Sequence, residues 1–221
     1  MVNFKIILNV LGILLIALSG ILVIPLLCDL IIQDETWKSF LISLVISFSF
    51  GLTLVLSTRG DRDTKVTMQD TFLLTTLSWI SVCIFGALPF YLSSFNFSFT
   101  DSIFESMSGV TTTGSTIIEN VEALSYGLLL WRSLLQWVGG VGIIVMAISI
   151  LPVLQVGGMQ VFRTESSDNA EKILPRTAQI AMAVVVIYII LTLFCATAYW
   201  LLGMPFFDSI AHSMTCLLYT S

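Results

Sequence analysis

Long runs without a charged residue alternate with short polar clusters along this chain. The runs cover 6–28, 39–58, 71–100, 133–162 and 177–207. Each is long enough for the about 20 mostly apolar residues that a membrane-spanning helix requires. The pattern predicts five spanning helices, near 6–28, 39–57, 70–92, 127–153 and 177–202. The first run is about twice the length of a signal-peptide core and ends without a small-residue cleavage site, so it reads as a retained helix.

One apolar stretch fits no span. Residues 96–126 connect the third and fourth helices, so both their ends lie on the same side, yet they contain the short apolar segment 102–110. A half-length helix followed by a Thr/Gly run is the pattern of a re-entrant loop. An amphipathic helix lying on the membrane surface has the same composition. An internal repeat separates the two readings. Asp101-Ser102-Ile103-Phe104-Glu105-Ser106-Met107-Ser108 recurs as Asp208-Ser209-Ile210-Ala211-His212-Ser213-Met214-Thr215, with five of eight positions identical. Both copies follow a predicted span and a short aromatic linker, and transport proteins are commonly built from such repeats. A surface helix has no reason to recur in this register.

The first copy continues as Gly109-Val110-Thr111-Thr112-Thr113-Gly114-Ser115-Thr116. The C-terminus of a helix carries about half a negative charge, which favours a cation. Carbonyls of an extended Thr-Thr-Gly stretch can replace an ion's hydration shell. Glycine opens backbone conformations closed to other residues. The candidate ion ligands are therefore Val110, Thr111, Thr112, Thr113 and Gly114, mainly through backbone oxygens.

Composition agrees with a membrane setting: 57% of the 221 residues are hydrophobic and 10% charged, against roughly 25% charged in soluble domains. Mean hydropathy is +0.99. Nine basic residues form no stripe, which argues against nucleic acid. Their positions orient the helices. Lys5, Arg59, Arg62, Lys65, Arg163, Lys172 and Arg176 fall on one side, Lys38 and Arg132 on the other. By the positive-inside rule the N-terminus is cytoplasmic. Cys28, Cys83, Cys195 and Cys216 match neither a metal-ligand spacing nor a disulfide framework. Few acids, bases or nucleophiles converge in the spans, so enzyme chemistry is not expected and no cofactor is implied.

FESMSGVTTTGST at 104–116, WRSLLQWVGGVGIIVMAISILP at 131–152 and LQVGGMQVFRTE at 154–165 resemble the superfamily of Trk, Ktr and HKT potassium transport subunits. The likeness is greatest to the bacterial Trk membrane subunit and runs from about Asn3 to Thr215. It implies an all-α integral membrane protein of helix–pore-loop–helix repeats, potassium-channel-like, four around one pore. This chain holds five spanning helices with one complete and one truncated re-entrant pore loop. Residues 1–60 form an N-terminal helix pair, 61–156 the first repeat, 157–176 a cytoplasmic connector, and 177–215 the start of a second repeat. Residues 216–221 break the repeat and are expected to be a non-native tail. The resemblance further implies potassium uptake across the bacterial cytoplasmic (inner) membrane, a homodimer in membrane lipid, and a cytoplasmic nucleotide-binding regulatory subunit. Within the family a filter glycine goes with potassium preference, which points to Gly114. An ion-coupled secondary transporter (a symporter of potassium or sodium) is the alternative, but Glu105 is the one ionisable residue read at depth.

Four supporting residues complete the expectation. Glu105 either braces the filter through backbone N–H groups or closes a capping box with Ser102. Arg132 either snorkels to the headgroups or tunes the outer vestibule. Gly139 and Gly140, with Gly142, allow close helix approach. His212 reads as structural. The charges of 157–176 read as a solvated connector or a contact for the regulatory partner. Asp34, Glu35 and the acidic stretch 119–122 would concentrate cations only weakly through salt.

Overall fold

The computed structural model describes residues 3–58, 67–154 and 170–219. Its described elements are helical: α1 (Phe4–Ile32), α2 (Trp37–Ser57), α3 (Met68–Tyr91), α4 (Phe99–Val110), α5 (Tyr126–Leu154), α6 (Ala170–Leu201) and α7 (Phe206–Tyr219), with a 3-10 turn at Val121–Ala123. Five of these helices are long and apolar enough to cross a membrane, namely α1, α2, α3, α5 and α6. They fall where the charge-free runs predicted. α6 differs at its start, reaching back to Ala170 rather than 177. Lys172 and Arg176 made that stretch read as connector, but charge does not prevent a helix from extending past the apolar layer. The remainder of the connector, 157–169, and the basic residues Arg59, Arg62, Lys65 and Arg163 lie outside the described residues.

Packing groups the chain into two compact units, Met1–Gln136 and Trp137–Ser221. In the first, α1 buries Ile7, Leu11, Leu15, Leu18 and Leu22, spaced three or four residues apart along one face. Ile13, Ile24, Leu27 and Ile31 on other faces stay exposed, as lipid-facing positions should. α1 and α2 cross at Gly12 and Gly51. A Cβ on either glycine would come within 2.8 Å of the other's carbonyl oxygen, so the backbones touch, as small residues permit in membrane helix pairs.

Buried carboxylates tie the two ends of α1 to later helices. At its start, Asn3 N–H donates to Asp70 Oδ1 at 2.8 Å. The other oxygen of Asp70 accepts from Thr67 N and Thr67 Oγ1, closing a capping box on α3. At its end, Asp29 meets the beginning of α5 through Gly127. Ser39 Oγ at the start of α2 donates to Leu92 O just past α3. The end of α3 and the start of α5 thus lie at the same end of this bundle, and residues 92–125 leave and return there.

In the second unit, Trp137 Nε1 donates to Thr192 Oγ1 at 3.0 Å and the Trp137 ring lies 5.4 Å from that of Tyr188, joining α5 to α6. α7 begins after Gly203, whose φ of 98° is open to glycine alone among common residues. Its Ser209 and Ser213 are buried.

Candidate functional site

α4 has 12 residues, about 18 Å at 1.5 Å per residue, against about 30 Å for a hydrocarbon core. Its start is capped by Ser98 and Asp101, each accepting the other's backbone N–H. This corrects the capping box expected at Ser102 and Glu105. The side chain of Ser102 instead donates back to Ser98 O at 2.9 Å, and Glu105 is left for other work. From that capped start α4 runs back along α3. Phe99 packs edge-on against Tyr91, with ring centroids 5.9 Å apart. Further along, Gly86 lies against Ser106, where a Cβ would sit 2.7 Å from the hydroxyl. Gly109 lies against Leu135 of α5. Small residues on α3 and α4 therefore set how closely the short helix enters.

The helix then stops abruptly. Thr112 N–H donates to Gly109 O and Thr113 N–H to Ser108 O, at 2.9 and 3.0 Å. Thr112 sits at φ 57°. These two bonds around a left-handed residue make a Schellman turn, with threonine where glycine is usual. A β-branched residue there is strained by roughly 1–2 kcal/mol. Gly114, at φ 76°, repeats the left-handed geometry two residues on. The N–H groups of Thr111, Thr112, Thr113 and Gly114 all point back to α4 carbonyls. Among the described residues none donates to the carbonyl oxygens of 111–114. Ser108 Oγ pins the far end of the turn by donating to Ser115 O at 2.5 Å.

Past the turn the chain is held by Glu105. Its carboxylate is fully buried and receives Thr116 Oγ1 at 2.6 Å, Ile117 N at 2.8 Å and Arg132 Nε at 2.9 Å. Glu105 thus bonds the segment after the Thr/Gly run and takes no part in the capping box, which Ser98 and Asp101 form. Arg132 does not snorkel away. Its side chain is 21% exposed and its Nε faces Glu105, which compensates a buried charge that would otherwise be costly. Neighbouring Trp131, fully buried, donates Nε1 to Gly86 O at 2.9 Å and fixes α5 against α3.

Val110, Thr111, Thr112, Thr113, Gly114, Glu105 and Arg132 are thus brought together in the first unit. Gly139 and Gly140 belong to the second, where both are buried on α5. Among the described residues nothing lies within 4 Å of a Cβ placed on Gly142. The sequence reading missed Ser98, Ser108 and Asp29. Ser98 carried a signal, a hydroxyl three residues before an acid. Ser108 and Asp29 carried none, because their partners are visible only in three dimensions.

The repeat is also visible in bonding. Ser209 Oγ donates to Pro205 O at 2.9 Å, as Ser102 does to Ser98 O. Ser106 and Ser213 are both fully buried. The copies part at the fifth position, where His212 is exposed and its Nδ1 lies 2.9 Å from Asp208 O. They part again at the turn, since α7 continues helical to Tyr219.

The family model TrkH, described as a cation transport protein, matches residues 36–218. The Trk system potassium uptake protein TrkI of Halomonas elongata is 44% identical over 212 residues, 96% of this chain and 43% of that protein. TrkH of Escherichia coli K12 is 40% identical over 220 residues, covering 97% and 45%. The chain therefore spans less than half the length of these curated relatives. The crystal structure of the potassium transporter TrkH from Vibrio parahaemolyticus superposes with a TM-score of 0.84 at 37% identity, over 96% of this chain and 42% of that one. The match to most of the family model and the shared helical architecture lead to one conclusion: the chain belongs to the TrkH family of cation transport proteins.

Proposed function

We propose that α4 and its return through 111–117 form a re-entrant pore loop, one quarter of a potassium-conducting pore in the full-length protein. The observation that carries this is the polarity of the turn. Its N–H groups are consumed by α4, and the carbonyls of Thr111 to Gly114 are left without donors among the described residues. Bare carbonyls at the negative end of a helix suit a dehydrated monovalent cation. Val110 to Gly114 supply the ligands, Glu105 and Arg132 hold the return strand, and Gly139 and Gly140 support α5. The named activity of the relatives, potassium uptake, agrees.

On this reading the ion crosses the cytoplasmic membrane, with the N-terminus inside, as the basic residues suggest. A homodimer and a nucleotide-binding regulatory subunit belong to the same proposal. No observation favours the ion-coupled alternative, since Glu105 already holds three donors. The test is potassium uptake by the full-length protein in an uptake-deficient bacterium, with Gly114→Ser against wild type. Serine lowers uptake and the preference for potassium over sodium. Gly203→Ser controls for strain, because its φ is also positive and its surroundings are open. Unchanged uptake and preference in Gly114→Ser would remove this turn from the pathway.

A further inference from the structure

We infer that Asp29 is a positioning residue for the filter, acting from α1 through the first turns of α5. Its side chain is fully buried, and among the described residues no ion pair reaches it. The charge is met instead by the start of α5 and by Thr36, the residue before α2. Gly127 N–H donates to Oδ1 at 2.6 Å, and Thr36 Oγ1 donates to Oδ2 at 2.5 Å. Ser125 caps the same helix end by accepting Leu128 N–H. A helix N-terminus has four N–H groups without intrahelical partners and a partial positive charge. Here one of those groups is satisfied locally and another by a carboxylate 98 positions away in sequence. The fit requires glycine, because a Cβ on Gly127 would overlap the Asp29 carboxylate.

Arg132 follows Gly127 by about 7–8 Å of rise and about 140° of rotation on the same helix. The first turns of α5 are therefore gripped on one side by Asp29 and on another by Glu105. Glu105 in turn holds Thr116 and Ile117. Releasing Asp29 frees the helix end whose axial position sets where Arg132 meets Glu105. A role beyond the scaffold is thereby assigned to the N-terminal helix pair. The effect on ion preference rests on the pore-loop reading above; the effect on the backbone does not.

The experiment is hydrogen exchange of the full-length protein in lipid nanodiscs, read at amides 115–118 and 127–130, with potassium-over-sodium preference measured in parallel. In Asp29→Leu both sets of amides exchange faster, those of 115–118 by about tenfold or more, consistent with loss of a charged hydrogen bond, and the preference falls. Asp29→Asn keeps an acceptor for Gly127 and a polar group for Thr36, and stays close to wild type. Gly127→Ala displaces the carboxylate without changing charge and reproduces Asp29→Leu; it carries the test alone if Asp29→Leu does not fold. Faster exchange confined to 127–130 overturns the inference, since the cap would then be local and Trp131 would suffice to hold α5. Faster exchange at 115–118 with unaltered ion preference upholds the positioning role and sinks the pore reading.

Discussion

Replacing Arg132 with methionine leaves Glu105 as a buried carboxylate with two neutral donors, Thr116 Oγ1 and Ile117 N. Breaking a buried pair from one side costs about 3–5 kcal/mol. The guanidinium here is 21% exposed, so some solvent screening applies and about 3 kcal/mol is the working figure. Adding Glu105→Gln removes the unpaired charge. The amide oxygen still accepts from Thr116 and Ile117, and only its NH2 is left unmatched, at about 1–2 kcal/mol. The double variant should therefore be more stable than Arg132→Met alone, by about 1–2 kcal/mol. Single substitutions at independent sites would instead add. The assay is denaturant unfolding of the full-length protein in one detergent, comparing midpoints across wild type, both singles and the double. A double variant no more stable than Arg132→Met would refute the claim that the ion pair compensates a buried charge.

Three further outcomes follow from the packing. Gly51→Ala forces a methyl against Gly12 O and should lower stability by about 1–3 kcal/mol, seen as an earlier thermal midpoint. Thr112→Gly relieves the left-handed strain at φ 57° but adds chain entropy to the unfolded state. The net effect is a gain of up to about 1 kcal/mol by the same unfolding assay. Trp131→Phe keeps the buried ring and loses the bond to Gly86 O. It should cost about 1–2 kcal/mol and speed amide exchange at the start of α5.

The membrane helices were legible because the apolar layer demands long uncharged runs, and those runs are one-dimensional facts. The short helix was legible through its repeat. Gly114 was marked out by its place after the half-helix, and its positive φ agrees with the backbone freedom expected of it. Pairing was not legible. Glu105 and Arg132 are 27 positions apart, and no periodicity links them; Arg132 alone near a helix end read either as a snorkelling side chain or as a charge tuning the outer vestibule. The cap at Ser98 carried a signal but was passed over, because Asp101 rather than the usual Glu or Gln fills the third position. Asp29 and Asp70 stand at the ends of apolar runs and drew no reading from the sequence, whereas both are buried among N–H donors. α6 shows the reverse error, a helix whose first turns carry charge.

The touching backbones of Gly12 and Gly51 bear on the order of events during synthesis. Every residue that brings α1 and α2 together emerges from the ribosome before the Thr/Gly turn exists, so this hairpin can settle in the bilayer first. Its longest-delayed commitment among the described residues is the Asp29 carboxylate, which waits for residue 127 to be translated, whereas Asn3 and Ser39 find their partners at residues 70 and 92. A nascent chain halted short of that residue should expose a half-satisfied charge at the membrane, and one halted well past it should not.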